Sequence, residues 1–286
     1  MYLCNMLKAI DHIKKELNGL YPETEIKSFV NLLISKITGL SVTGIIVNKN
    51  TIFSVEQREI LNRFIEKLKL FTPIQYILGE TAFMDSIFEV NETVLIPRPE
   101  TEELVEWIIQ CSSKAASGFK ILDIGTGSGC IAVSLQKYLP QTSVMAFDIS
   151  YDALEVARRN ALSNGVAVGF RQFDILSDEK VNFSFDLIVS NPPYITESEK
   201  KDILPNVLDF EPHIALFVPE NDPLLFYRKI IQFACHFLSP GGQLFFEIHR
   251  DRGQEITALL KNYDFTEIEL RQDISGNDRM IRAIKI

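Results

Sequence analysis

The apolar positions of the first quarter of the chain recur at helical spacing. Met6, Ile10, Ile13 and Leu17 form one series, and Phe29, Leu32, Leu33, Ile37 and Leu40 a second. A third, Ile60, Leu61, Phe64, Ile65 and Leu68, follows Ser54 and Glu56-Gln57. Steps of three and four put each series on one helix face, and Ser followed by an acid and an amide is a helix start. Tyr21-Pro22 and Gly39–Asn50 interrupt the pattern. Residues 1–72 therefore read as a small helical bundle, ended by Thr72-Pro73. It carries no chemistry of its own and suits docking or packing. The linker 73–95 then holds a β-hairpin over Thr81–Val90, turning near Asp85-Ser86.

From residue 96 onward short apolar runs alternate with helical stretches. Strands are expected at Lys120–Ile124, Val144–Phe147, Phe170–Asp174, Phe185–Val189, Gln243–Ile248, Phe265–Leu270 and Met280–Ile286, the last antiparallel. Helices are expected from a Thr101 cap through Trp107 and Ile109, after Gly129, over Ser150–Asn164, over Asp222–Leu238 and over Gln254–Asn262. Short apolar strands separated by helices predict an α/β domain with a mainly parallel sheet.

Length and composition support two domains in an ordered globule. The chain has 286 residues, near the upper limit for a single core, with 46% hydrophobic and 23% charged residues. Net charge is −9, which argues against a large duplex nucleic-acid footprint. Cys4, Cys111, Cys130 and Cys235 are scattered without a Cys-x-x-Cys, so reduced thiols are expected. His12, His213, His236 and His249 are equally dispersed, and no metal site is expected. No signal peptide and no membrane span are read, so the expectation is a cytoplasmic protein.

Candidate chemistry gathers at the exits of four strands. Gly125, Gly127 and Gly129 sit between a strand and a helix, in Gly125-Thr126-Gly127-Ser128-Gly129. There they allow a sharp turn and close approach of a ligand. Asp148 ends the next strand, where an acid accepts from ribose hydroxyls. Asp123, just before the loop, meets an ammonium or braces the turn. Asp174, at the end of the third strand, accepts from an adenine amino group or caps the next turn. No Gly-Lys-Ser/Thr closes the loop, and the Gly-x-Gly-x-Gly spacing differs from the dinucleotide fingerprint. Together with the fourth strand's motif, this favours a mononucleoside-like cofactor such as S-adenosylmethionine.

The fourth strand ends in Ser190-Asn191-Pro192-Pro193-Tyr194. Two prolines stiffen the exit. The Asn191 side-chain oxygen and the Pro192 carbonyl offer two acceptors for the N–H groups of a planar amide or aromatic amine. Such a nitrogen is a poor nucleophile, because its lone pair is delocalised. Orienting it and favouring the charge that develops on it is what acceptors placed here achieve. Tyr194 supplies a ring to stack on the planar group. Arg98 and Glu100, in a Pro-x-Pro loop, line a cofactor pocket or mark a domain junction. Phe210–Phe217 is expected to lie over the site. Gly241-Gly242-Gln243 reads as a turn into a strand.

Several stretches together resemble the release factor glutamine methyltransferases. They are Gln75–Glu80, Leu95–Glu102, Leu122–Gly129, Ser190–Ile195, Phe210-Glu211-Pro212 and Asp273–Arg279. The resemblance covers nearly the whole chain from residue 75. The helical residues before it match only in length and class. It implies a Rossmann-like, seven-stranded class I S-adenosylmethionine-dependent methyltransferase domain at 96–286, with a release-factor-docking bundle at 1–72. The implied acceptor is the glutamine amide of the Gly-Gly-Gln tripeptide in release factors, acted on by a monomer, with S-adenosylhomocysteine as product.

By the same resemblance Gly125–Gly129 hold the methionine part, Asp148 the ribose, and Asn191–Tyr194 the glutamine. Some members carry an aromatic residue where this chain has Ile175, so stacking on adenine becomes aliphatic packing. Asn-Pro-Pro-Tyr is shared with N6-adenine methyltransferases acting on DNA or RNA. That reading stays open, against the acidic charge and the lack of a basic arm. A cofactor-bound docking protein without catalysis is the third reading.

Overall fold

A computed structural model describes residues 5–177, 179 and 182–286. Cys4 lies outside the described residues, and Cys111, Cys130 and Cys235 are free thiols. The chain divides into two compact units, Met1–Gly79 with Pro205–Phe210, and Glu80–Leu204 with Glu211–Ile286.

The first unit is helical, with α1 (Met6–Leu17), α2 (Glu23–Thr38), α3 (Val42–Val47), α4 (Val55–Lys69) and α5 (Ile74–Leu78). Its core is the set of apolar series visible in the sequence, including Ile13, Leu17, Leu33, Ile34, Leu61, Ile65 and Leu68. A capping box fixes the start of α4: Gln57 N–H donates to Ser54 Oγ at 3.1 Å, and Ser54 N–H to Gln57 Oε1 at 3.0 Å. The stretch Gly39–Asn50 is not a plain break, because α3 forms within it behind the Ser41 cap. The unit also runs past residue 72, since Ile77 of α5 is buried in the helical core.

The second unit opens with the hairpin β1 (Glu80–Phe83) and β2 (Ser86–Glu89), which turns at Met84-Asp85, one residue earlier than expected. Then follow α6 (Pro99–Ser112), β3 (Lys120–Ile124), α7 (Cys130–Tyr138), β4 (Ser143–Asp148), α8 (Tyr151–Ser163), β5 (Gly169–Gln172), β6 (Phe185–Ser190) and β7 (Ile195–Thr196). After α9 (Pro205–Leu208), which belongs to the first unit, come α10 (His213–Leu216), β8 (Phe217–Val218), α11 (Leu225–Phe237), β9 (Leu238–Glu247), α12 (Gly253–Lys261), β10 (Phe265–Gln272) and β11 (Asp278–Lys285).

Seven of these strands form one sheet in the order β10-β11-β9-β6-β3-β4-β5. The pairs from β9 to β5 are parallel, and β11 is antiparallel to both its neighbours. Alternation along each strand sends side chains to both faces. Leu122, Ile188, Leu244 and Phe246 share a core with Ile231 of α11 and Ile256 of α12. Ile121, Leu187, Val189 and Phe245 share the opposite one with Leu104 and Ile108 of α6 and Leu135 of α7. β9 begins earlier than expected, so Gly241-Gly242-Gln243 lies inside it, with Gln243 paired to Leu187 and Ile284. A register shift between Phe185 and Leu187 absorbs the irregular start.

The strand order reverses at β3, with β4 on one side and β6 on the other. Open α/β sheets bind ligands at the carboxyl ends of the strands at such a point.

Candidate active site

An open cleft with about 970 Å³ of empty space lies at the carboxyl ends of β3, β4, β5 and β6. Gly125, Gly127, Asp148, Asp174, Ile175, Asn191, Pro192 and Pro193 line it together. These residues come from four separate strand exits, and the fold brings them to one place as the sequence predicts.

Backbone bonds set the glycine loop. Gly125 and Thr126 N–H both donate to Phe147 O at 2.9 and 3.0 Å, which ties the end of β3 to the end of β4. Gly127 N–H donates to Asp148 Oδ2 at 2.8 Å, and Ser150 N–H to Asp148 Oδ1 at 2.9 Å. Asp148 is thus held rigidly at the cleft wall, and burial raises its carboxyl pKa. Gly125 and Gly127 have φ of +75° and +53°, and a Cβ at either meets nothing within 4 Å. The space in front of them is a cradle that a side chain would occupy.

Three of the expected loop residues, Thr126, Ser128 and Gly129, do not line the cleft. The buried Thr126 donates its hydroxyl to Asp123 Oδ2 at 2.6 Å, Ser128 is buried, and Gly129 is the N-cap of α7 against Ala157. The role of Asp123 as brace is therefore the one observed. Burial pushes its carboxyl from an ordinary 3.8 up to about 7.

An acid with a raised folded pKa keeps its proton in the folded state at pH values where the unfolded chain has lost it. Its contribution to stability therefore falls as pH rises through that window and is lowest above about pH 7. Asp123→Asn cannot ionise. Without cofactor, its melting temperature is expected to exceed wild type at about pH 8, and the gain to shrink as pH falls toward 4. A gain that is flat with pH would show that Asp123 is not the titrating group.

Part of the cleft lining is apolar, with Ile149, Phe173, Ile175, Leu176, Phe226 and Ile230. Asp174 lies two residues beyond the observed end of β5, not at the strand terminus. Its Oδ1 accepts from Leu176 N–H at 2.8 Å, so it caps the next turn while still lining the cleft. Ile175 supplies the aliphatic wall the sequence suggests. Thr93, Val94 and Leu95, in the segment before α6, also line the cleft, although no residue type there marks a site. Pro212, Ile214 and Ala215 line it from α10 and the residue before, as the expected cover of Phe210–Phe217 requires. Arg98 and Glu100 do not line it. Arg98 pairs with the buried Glu211 at 2.5 Å, and Glu211 also accepts from Ile96 N–H at 3.2 Å.

At the exit of β6, Ser190 Oγ donates to Ile124 O at 2.7 Å and fixes the two strand ends together. Asn191 follows at the cleft. Its Nδ2 donates to Thr101 Oγ1 at 3.4 Å, and Thr101 Oγ1 donates to the buried Glu247 Oε2 at 2.6 Å. Thr101 is therefore not the cap of α6. The helix starts at Pro99 with Arg98 as N-cap, and Thr101 points inward. Tyr194 is not among the residues that line the cleft. Its hydroxyl donates to Glu247 Oε1 at 3.2 Å, and its ring meets His249 edge-on at 5.8 Å. Burial beside the Glu247 carboxyl raises the phenol pKa.

The seven-stranded sheet, its antiparallel β11 and the glycine-lined cleft at its reversal point define a class I methyltransferase. A methyltransferase from Pyrococcus furiosus shares the fold, with a TM-score of 0.51 at 19% identity over 82% of this chain and 99% of that one. Residues 105–209 match the Methyltransferase small domain, and residues 8–79 the PrmC N-terminal domain. The release factor glutamine methyltransferase of Flavobacterium psychrophilum is 49% identical over 93% of this chain and 94% of its own length. That of Bacteroides thetaiotaomicron is 42% identical over 97% and 99%. The chain belongs to the release factor glutamine methyltransferase family.

Proposed function

We propose that this enzyme methylates the side-chain amide nitrogen of the glutamine in the Gly-Gly-Gln tripeptide of peptide chain release factors. The observation that carries the reading is the placement of Asn191 and Pro192 on the same cleft as Gly125, Gly127 and Asp148. A methyl donor and a planar amide would meet there. The residues fit S-adenosylmethionine: an open glycine cradle for the methionine part, a rigid carboxylate for the ribose, and an apolar lining with Asp174 and Ile175 for adenine. When bound, the cofactor supplies the methyl on its sulfonium and leaves as S-adenosylhomocysteine.

Asn191 Oδ1 and the Pro192 carbonyl accept the two N–H groups of the substrate amide. They aim its nitrogen at the donor and stabilise positive charge as the N–C bond forms and the C–S bond breaks. The amide proton then passes to solvent, so no strong base is needed. Thr126, Ser128 and Gly129 hold the loop in shape, and Tyr194 braces Glu247. The helical unit is the docking element for the release factor, and the protein works as a cytoplasmic monomer. Among the described residues no helix is long and apolar enough to cross a membrane.

The test is mass spectrometry of a purified, unmethylated release factor after incubation with the enzyme and S-adenosylmethionine. One methyl on the tryptic peptide that holds the Gly-Gly-Gln glutamine is expected. No gain there, with methyl transfer to adenine in an oligonucleotide, would replace this reading with N6-adenine methylation.

A further inference from the structure

We infer that Thr101 is a positioning residue that decides which end of the Asn191 amide faces the substrate, with Glu247 setting the direction of its hydroxyl. The inference rests on the reading of Asn191 as the acceptor for the substrate amide. Thr101 and Glu247 are 3% and 2% exposed. They meet from α6 and from the last residue of β9, far apart in sequence.

Hydrogen-bond polarity fixes the orientation. Burial raises the Glu247 carboxyl pKa above its ordinary value, but both of its oxygens are acceptors, Oε2 from Thr101 and Oε1 from Tyr194, so the Thr101 hydroxyl proton points at Glu247. Thr101 Oγ1 then has only lone pairs left for Asn191. Of the two ends of the Asn191 amide, only the NH₂ can meet them, at 3.4 Å.

The Asn191 oxygen, on the opposite side of the planar amide, is thereby turned toward the cleft. A flipped amide would set its oxygen against the Thr101 oxygen. It would also present NH₂ to the substrate's NH₂, donor against donor. Orientation thus passes from β9 through α6 to the exit of β6, and none of it is carried by a residue that touches the reacting atoms.

Thr101→Val removes the hydroxyl at nearly constant shape, Thr101→Ala does so without the branched side chain, and Thr101→Ser keeps it. Two readouts separate positioning from packing. In steady-state methylation of an unmethylated release factor, the Val and Ala variants are expected to lower kcat by about 10–100-fold. KM and S-adenosylhomocysteine affinity should stay within about twofold, and Ser should recover most of kcat. By NMR, the Asn191 side-chain NH₂ protons should exchange with solvent faster in the Val and Ala variants and as in wild type in the Ser variant.

If Thr101 only packs, Ser, which lacks the γ-methyl, should be impaired at least as much as Val. That result overturns the inference, as would unchanged kcat and exchange in Val and Ala. Wild-type protein inactive on release factors would instead overturn the proposed function. In that case the exchange comparison decides the inference by itself: faster exchange rescued by Ser supports it, and unchanged exchange refutes it.

Discussion

Asn191→Ala is expected to lower kcat on release factors by about 10²–10³-fold, or about 2.7–4 kcal/mol, the range measured when an enzyme loses one preorganised group facing the developing charge. The amide nitrogen of glutamine has little nucleophilicity, because its lone pair is shared with the carbonyl. Among the described residues that line the cleft, the carboxylates are Asp148 and Asp174, and both accept from backbone N–H groups of the cleft wall. Catalysis therefore depends on aim and on acceptors for the N–H groups as positive charge builds. Ala removes one acceptor and leaves the Pro192 carbonyl as the other. The glycine cradle, Asp148 and the apolar lining of the cleft do not depend on Asn191. S-adenosylhomocysteine affinity should hence change by less than about tenfold. The measurement is kcat and KM by scintillation counting of methyl transfer, beside calorimetry with S-adenosylhomocysteine. Near-full activity in the variant would remove Asn191 from the chemistry and leave the cleft as a cofactor site only.

The parts of this protein legible in the sequence are those encoded locally. β3, β4 and β6 are apolar runs stopped by Gly, Asp or Pro within five or six residues. Ser150 and Ser54 cap helices at the positions their own neighbourhoods indicate. The glycine loop and the Asn-Pro-Pro-Tyr exit are contiguous words, so their presence on one cleft followed from sheet topology alone.

What the sequence hid is carried by partners far along the chain. Thr101 looks like a helix cap because Ser/Thr before acids usually is one. Arg98 caps the helix three residues sooner, and Thr101 turns inward to Glu247, a partner 146 residues away. Tyr194 looks like a stacking ring because it follows the two prolines. Its hydroxyl is claimed by the same Glu247. Thr93–Leu95 form a wall of the cleft without any residue type that marks a site. In α3, the β-branched Val42 and Thr43 weaken the local helix signal, while burial of Ile45 in the bundle core supports it.

Gly129→Ala is expected to destabilise the catalytic unit by about 2–5 kcal/mol, combining about 1–2 kcal/mol for an L-residue in the left-handed region with about 1–3 kcal/mol of overpacking. Its φ is +81°, and a Cβ there would lie 3.0 Å from Ala157 Cβ and 3.2 Å from Ala157 Cα. The second contact is with backbone, so no side-chain rotation relieves it. α8 is also poorly placed to retreat. Asn160 on it donates to Ser128 O at 2.9 Å and to Glu89 O at 3.0 Å, and accepts from Glu89 N–H at 2.7 Å. Moving α8 would strain the glycine loop and the β1–β2 hairpin together.

Gly125→Ala offers the contrast. It has a similar φ of +75° but open space around the new Cβ. Its structural cost should stay near the about 1–2 kcal/mol of backbone strain alone, while the methyl projects into the cradle and weakens cofactor binding. Thermal melting of the unliganded variants checks the pair. Gly129→Ala should melt about 5–15 °C below wild type, and Gly125→Ala much closer to it. Calorimetry with S-adenosylhomocysteine should show the larger loss per degree of melting in Gly125→Ala. If Gly129→Ala melts as wild type does, then α7 and α8 are not locked at this contact. The division of the loop into a bracing glycine and two cleft-facing glycines would then fail.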